Sequence, residues 1–363
     1  MLRGLDLWRE GCPPWESGGS FLLLNPRLAP VWRDRVWAAE FPDLADHVWL
    51  GTSGTSGCLK IVALSRMALE ASARAVNLHL AVGAADVWID PLPVFHVGGL
   101  GIVVRAALAG VPAHHVGDWN AAEFVFRAED CGATLSALVP AQVHDLVAAG
   151  LPAPKRLRAV VVGGGALDNG LRERAQALGW PLLASYGLTE AASQVATARI
   201  EAHDAEWLPL LGHLDARLDG DGVLELRGPS LLTGWMMFGE DGRTRWEDPK
   251  RDGWYGTRDR AELRGGELRV LGRLDDLVKI RGELVDLAAL ERALQCRVRS
   301  GRVALRMTPD ERNGFSLRVV AENEAARAEA QRASEDVFPA FARPESIATA
   351  TIVRNALGKT PRY

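Results

Sequence analysis

The stretch Gly51-Thr52-Ser53-Gly54-Thr55-Ser56-Gly57-Cys58-Leu59-Lys60 combines the groups that hold phosphate. Its glycines let the backbone bend and approach an anion. Its hydroxyls and N–H groups can surround phosphate oxygens, and Lys60 adds a fixed positive charge. The plainer alternative is a flexible Gly/Ser/Thr linker. The spacing is not that of a Walker A loop, because no Gly-Lys-Ser/Thr closes it. Gly358-Lys359-Thr360 has that ending, but Val353 stands where the first Walker glycine would be and no strand-to-helix context surrounds it. On spacing alone, Lys359 reads as a tail lysine. His96 lies among apolar residues, where a histidine is commonly a satisfied core residue. Arg105 interrupts an apolar helical run, Leu100–Ala109, and a guanidinium there needs a partner or a route to water. His114-His115 falls in a predicted strand with no acidic residue at ligand spacing, so no metal site is expected there.

The elements that would position these residues alternate. His47–Leu50, Val87–Ile89, Ala113–Val116, Thr134–Val139, Ala159–Val162 and Leu182–Ser185 read as buried strands. Leu69, Ala73, Val76 and Leu80 share one helical face. Asn120 and Glu123 have capping-box spacing, and Gly132 closes that helix. Pro140 opens another helix, which Gly150 ends. The alternation predicts an α/β fold with a mostly parallel sheet, and the Gly51–Lys60 loop is expected between a strand and a helix. After about residue 200, Asp219-Gly220-Asp221-Gly222 and Gly265-Gly266 punctuate short antiparallel strands, Leu224–Leu226 and Leu268–Leu271. The remainder reads as a small α+β unit. Its helices are Leu287–Leu294 and the charged Asn323–Asp336, and its strands are Val303–Met307 and Leu317–Val320. The expected division is 1–273 and 274–363.

The 363 residues fit about two domains, and 48% hydrophobic with 24% charged residues argue against wholesale disorder. A net charge of -4 supplies no basic field, so no nucleic-acid partner is expected. No apolar run reaches the roughly 18 residues of a membrane span, and no signal-peptide core follows the N-terminus. The scattered Cys12, Cys58, Cys131 and Cys296 imply no disulfide framework. A cytoplasmic protein without an integral membrane segment is expected.

The Gly51–Lys60 loop resembles the phosphate-binding signature of the acyl-adenylate-forming superfamily of acyl-CoA ligases, luciferases and peptide-synthetase adenylation domains. Further signatures follow in that family's order: Pro93–Leu100, Gly163–Ala166, Ser185–Glu190, Gly253–Asp259, Gly272–Asp276 and Gly358-Lys359. The resemblance covers about residues 48–363. It implies a large α/β domain and a small, mobile α+β domain, with ATP, Mg²⁺ and CoA as cofactor and co-substrates and a small carboxylic acid as substrate.

The branch most resembled is that of the o-succinylbenzoate–CoA ligases of menaquinone synthesis. His96–Ile102 with Arg105, Thr189–Gln194, and Arg258 at a position where most of the superfamily has glycine carry that likeness. Another aryl- or acyl-CoA ligase, or a non-catalytic nucleotide- or acyl-binding member, are the alternatives.

By resemblance, Thr52, Ser53, Gly54, Thr55, Ser56, Gly57 and Lys60 hold the departing phosphates. Gly163, Gly164 and Gly165 border adenine and substrate. Ser185, Tyr186 and Gly187 receive adenine, Thr189 and Glu190 act in catalysis, and Glu190 holds Mg²⁺. Asp259 takes the ribose hydroxyls. Arg273 belongs to the hinge motif, with Asp275 as hinge, and Gly282 lines the approach of CoA. Lys359 bridges the substrate carboxylate and the α-phosphate. His96 lines the acid pocket with Gly99, Arg105, Ser193 and Gln194. On that reading Arg105 receives the acid's second carboxylate, with Ser193 and Gln194 as nearby donors. Plainer readings stay open: Glu190 as a helix N-terminal acid, Asp259 as a turn residue, Tyr186 as core, Arg105 reaching the surface.

Leu59 stands where the family's loop usually has proline, and the loop begins much earlier than in a typical member. Most of the family's N-terminal subdomain is therefore expected to be missing or reduced. Trp8, Trp15, Trp32, Trp37 and Trp49, or a homodimer, would cover the face this leaves.

Overall fold

The computed structural model describes residues 5–7, 19–26, 28, 30–53, 59–165, 167, 169–200, 206–239, 243–274, 277–280, 283–310, 314–339 and 342–352. Two compact units emerge. One comprises residues 1–217, 225–256 and 263–269; the other comprises 218–224, 257–262 and 270–363.

The larger unit is built on a six-stranded sheet in the order Ser193–Thr197, Leu182–Leu188, Ala159–Val162, Leu135–Leu138, Trp88–Asp90, Ala113–His115. All neighbours are parallel except the first pair. A parallel sheet covered by helices buries both faces, and Leu135–Leu138 and Ala159–Val162 are buried at every position. Helices Arg66–His79, Val97–Ala109, Ala121–Asp130, Pro140–Ala148 and Asn169–Ala177 alternate with the strands. The expected local signals hold. Asn120 Oδ1 accepts from the Glu123 N–H at 3.0 Å, and Pro140 is the first residue of its helix. Phe124, Leu146, Val160 and Trp180 form part of the core on one side of the sheet.

His47–Leu50 does not join this sheet. The His47–Ser53 strand lies in a second six-stranded sheet, ordered Leu5–Leu7, Ser20–Leu23, His47–Ser53, Leu59–Ser65, Gly234–Phe238, Thr244–Glu247. It pairs antiparallel with Leu59–Ser65 through register Thr52↔Lys60. The segment after Ser53 therefore connects two antiparallel strands, correcting the expected strand-to-helix context. The reason is burial: Leu59, Ile61 and Ala63 pack with Trp49, Met236 and Phe238, which a helix at that point would not allow. Trp49 is fully buried edge-on against Phe41, 4.9 Å between ring centroids, so it is core rather than surface cover. Trp8 and Trp15 lie outside the described residues.

A five-stranded sheet follows, ordered Leu208–Pro209, Glu267–Arg273, Tyr255–Arg264, Val223–Arg227, Asp215–Leu218. The smaller unit contains the hairpin of Leu277–Ile280 and Glu283–Asp286, and a three-stranded sheet of Val303–Asp310, Gly314–Ala321 and Ser346–Thr349. Helices Leu287–Arg297 and Glu324–Val337 bury Leu287, Leu294, Ala326 and Ala330 with Leu305, Leu317 and Val319.

A partly buried ion pair locks the base of the parallel sheet. Arg158 donates to Asp86 through Nε at 2.9 Å and Nη2 at 2.7 Å, and its Nη1 caps the Leu80 carbonyl. Thr134 Oγ1 donates to the same carboxylate. The Arg158 bonds hold Asp86 down at about 2, against an ordinary 3.8. A depressed carboxylate stabilises fully above its unfolded value, and that share is lost as pH falls through the folded one. The shift corresponds to about 2 kcal/mol. We expect urea unfolding of wild type to lose that amount between about pH 5 and pH 2, beyond the loss seen in Asp86→Asn. Parallel pH profiles for the two proteins would remove this role from Asp86.

Candidate active site

In chain order, Trp88–Asp90 is the first strand of the parallel sheet, yet it lies between the second, Ala113–His115, and the third, Leu135–Leu138. The chain leaves to one side and returns on the other. That reversal opens a crevice beyond the carboxyl ends of the strands, the usual place for a ligand in such sheets. The segments that emerge there are those singled out by residue type: Pro91–His96, Gly163–Gly165 and Ser185–Glu190. Gln142 ties the crevice together. Its Oε1 accepts from the Val139 N–H at 3.0 Å, and its Nε2 donates to the Pro91 carbonyl at 3.3 Å.

Leu182–Leu188 is longer than its parallel neighbour, with Val162 paired to Ala184. Ser185–Leu188 therefore runs past the sheet edge and pairs instead with the antiparallel Ser193–Thr197. Ser185 Oγ donates to the Val162 carbonyl at 3.0 Å. Tyr186 and Gly187 continue this strand, and Thr189 and Glu190 lie in the one-turn helix Thr189–Ala191 that follows it. The Glu190 carbonyl accepts from the Leu232 N–H at 2.8 Å. Gly187 permits the turn back: a Cβ there would sit 2.1 Å from the Ser193 carbonyl oxygen.

Arg105 lies on the helix that leaves the His96 segment. It does not reach the surface: its relative exposure is 1%. Nη2 donates to Ser193 Oγ at 2.9 Å. With the Gln194 amide turned so that its nitrogen donates to Thr197 Oγ1, Gln194 Oε1 accepts from Nη1 and Nη2, both at 3.2 Å. Ser193 and Gln194 are thus acceptors toward Arg105. Gly101, one turn earlier on the helix, makes room, since a Cβ there would stand 2.9 Å from Nη2. The guanidinium lies 5.9 Å from the centroid of the buried Trp88 ring. Burial pulls it down to about 10, with the Asp90 charge opposing, so it remains a cation at neutral pH.

His96 is the residue before that helix, with Gly99 in its first turn. Its ring lies 4.7 Å from Phe95, and burial pushes its pKa down to about 4. It is therefore neutral near pH 7.

Lys60 and Thr52 face each other across the hairpin, and Lys60 Nζ lies 4.1 Å over the Trp235 ring. The backbone of Ser53 ends its strand. The Ser53 side chain and Gly54, Thr55, Ser56 and Gly57 lie outside the described residues, as do Asp275, Gly282 and Lys359. In the smaller unit, Asp259 is buried, its N–H donates to Thr257 Oγ1 at 3.1 Å, and Arg273 Nη1 stands 3.8 Å from Asp259 Oδ1. Arg258, just before it, has φ 65, a backbone that favours glycine.

Sequence reasoning passed over Asp90 and found no acidic partner for His115. The two are register partners on adjacent strands, with His115 Nδ1 3.7 Å from Asp90 Oδ2. A lone aspartate ending an otherwise apolar strand was the available signal.

The switch point of this α/β sheet thus gathers a glycine turn, a strand-end tyrosine and a buried cation near the carboxyl ends of its strands. Residues 47–216 match the family described as AMP-binding enzyme. The 2-succinylbenzoate–CoA ligase of Salmonella typhimurium is 33% identical over 249 residues, 67% of this chain and 50% of the relative. That of Escherichia coli is 33% identical over 243 residues, 67% and 51%. The chain spans about half the length of the curated relatives it matches. Among solved structures, an arginine-to-lysine variant of E. coli MenE with bound OSB-AMS superposes with TM-score 0.72 at 27% identity, covering 84% of this chain and 64% of that one. Bacillus subtilis MenE in complex with ATP and magnesium ion, at 21% identity, shares the fold with TM-score 0.76, covering 95% and 78%.

Because the Gly187 clash is with backbone, neither side can rotate away. Gly187→Ala should lower unfolding free energy by about 2–3 kcal/mol. Calorimetry or urea titration reads this directly, and a loss below about 0.5 kcal/mol would mean that the two strands can separate at no cost.

Proposed function

We propose that this chain is an AMP-forming acid–CoA ligase acting in the cytoplasm, and that its acid is o-succinylbenzoate. The carrying observation is Arg105: a buried guanidinium whose hydrogen-bond acceptors are neutral, on the helix that leaves the His96 segment. A buried cation is costly without an anion, and an acid with a second carboxylate would supply one. Similarity to 2-succinylbenzoate–CoA ligases supports the same reading.

In the proposed reaction a carboxylate oxygen attacks the α-phosphorus of ATP. The new P–O bond forms as the bond to pyrophosphate breaks. The CoA sulfur then attacks the acyl carbon, AMP leaves, and the thiol proton passes to solvent. Negative charge grows on the transferring phosphoryl group, so cations and N–H donors must already be in place. Thr52, Ser53, Gly54, Thr55, Ser56, Gly57 and Lys60 would hold the leaving phosphates. Tyr186, with Ser185, Gly187, Gly164 and Gly165, would receive adenine, and Asp259 beside Arg273 would accept from the ribose hydroxyls.

Glu190, a hard oxygen donor at the sheet's carboxyl edge, fits Mg²⁺, which takes one or two carboxylates with phosphate and water. When bound, Mg²⁺ neutralises charge on the phosphates. Thr189 would act beside it. His96, being neutral, would line the acid pocket with Gly99 and Gly163, since an acid already ionised needs no base. Lys359 would bridge the carboxylate and α-phosphate, Asp275 would be the hinge, and Gly282 would line the path of CoA.

ATP–pyrophosphate exchange tests the reading. Wild type should prefer o-succinylbenzoate to 4-phenyl-4-oxobutanoate, which lacks the ring carboxylate. Arg105→Ala should raise KM for o-succinylbenzoate about 10-fold or more, leave KM for ATP nearly unchanged, and narrow that preference. An unchanged ratio between the two acids would point instead to a ligase of another aryl or acyl acid. Lys359→Ala should slow adenylation about 10²–10³-fold, while thioester formation from a presynthesised acyl-adenylate is much less affected. Equal losses in both half-reactions would remove Lys359 from its proposed role.

A further inference from the structure

We propose that Asp90, with His115 as its own partner, is a positioning residue that sets how strongly Arg105 attracts the second carboxylate of the acid; this rests on the reading of Arg105 given above. Trp88 and Asp90 are two apart on one strand, so their side chains leave the same face. Arg105 lies over Trp88 on that face. The parallel register sets Asp90 opposite His115, whose Nδ1 is 3.7 Å from Oδ2, while Oδ1 accepts from the Leu92 N–H at 2.9 Å. Asp90 is thus held between the strand beside it, the loop entering the acid segment and the helix that carries Arg105.

The Asp90 side chain is 3% exposed and that of His115 is 45% exposed. The pair can therefore exchange a proton with solvent through the imidazole, although its carboxylate is buried. Burial pushes the Asp90 carboxyl up, and the Asp90 carboxylate 3.7 Å away pushes His115 up. The two titrate as a unit that keeps one proton beyond the ordinary histidine range.

Few other charges face them. Arg127 Nη1 donates to the His115 carbonyl at 3.4 Å but is paired with Glu123 at 2.7 Å. His114 is an exposed neighbour, Arg105 comes from the helix, and Leu135–Leu138 on the other side brings no charged residue. While the pair holds its proton it is neutral overall, and Arg105 acts as a full positive charge. Once the proton leaves, the pair is negative and offsets Arg105. Attraction for a dicarboxylate should therefore weaken as pH rises through that titration.

The test is the ratio of kcat/KM for o-succinylbenzoate to that for 4-phenyl-4-oxobutanoate, measured by pyrophosphate exchange from pH 6.5 to 9 with the full chain. The ratio cancels effects common to both acids. Wild type should lose about tenfold of its preference across the range. Asp90→Asn, which keeps an acceptor for the Leu92 N–H, should hold a high preference that no longer falls between pH 7 and 9. His115→Gln, at a partly exposed position that should not affect folding, should show a low, flat preference above pH 7. A wild-type preference that is large but independent of pH, or a wild-type profile in both variants, overturns the role of Asp90 and leaves the Arg105 reading standing. No preference in wild type at any pH overturns the Arg105 reading and this one with it.

Discussion

A whole positive charge is buried at Arg105, and the residues around it are fitted to that fact. Gly101 leaves the space, Trp88 supplies a flat aromatic face, and Ser193 and Gln194 supply oxygen acceptors. The acceptors come from an antiparallel strand added to the edge of a parallel sheet. Reaching that position needs a tight return in the chain, with Ala192 at φ 52 and Ser193 at φ 109, both in the region that disfavours a side chain. The local strain delivers the serine hydroxyl to the guanidinium.

The rest of the candidate site follows from strand direction. Parallel strands present all their carboxyl ends at one edge, so short motifs far apart in the chain arrive there together. The order of the sheet decides where the edge opens, and Gln142 spans that opening from the Val139 N–H to the Pro91 carbonyl. Gly187 lets the returning strand approach closely at Ser193.

Burial acts on His96 and Arg105 with opposite consequences. It drives the His96 imidazole down to about 4, where the ring is neutral in the working range. The same cause brings Arg105 only to about 10, because its ordinary value starts so high. The same physical cause therefore yields a neutral imidazole at one position and a fixed cation at the other. Asp90 and His115 add a third case, in which a buried carboxyl is pushed up by burial and the half-exposed imidazole 3.7 Å away is pushed up by the carboxylate.

Much of this was legible in the chain. The apolar runs at Ala159–Val162 and Leu182–Ser185, the Asn120 cap and the Pro140 helix start are local signals, fixed by neighbours a few residues away, and each appears where it was read. So do the strands and helices of the C-terminal part, whose apolar spacing matches their burial. The sheet that His47–Ser53 joins was not legible, because a strand looks the same whichever partner it finds; Gly234–Phe238, far along the chain, decides it. The burial of Arg105 was equally hidden. An arginine on an apolar helix can extend to water or turn inward, and only the packing of that helix on Trp88 and the return of Ser193 settle the choice. The pairing of Asp90 with His115 is a contact between strands, created by register, and no spacing along the sequence encodes it. The sequence determined which residues could do chemistry and the elements that carry them. Tertiary structure alone decided which of them share a face, because cross-strand register and helix packing are set by the burial of the whole sheet rather than by any one segment.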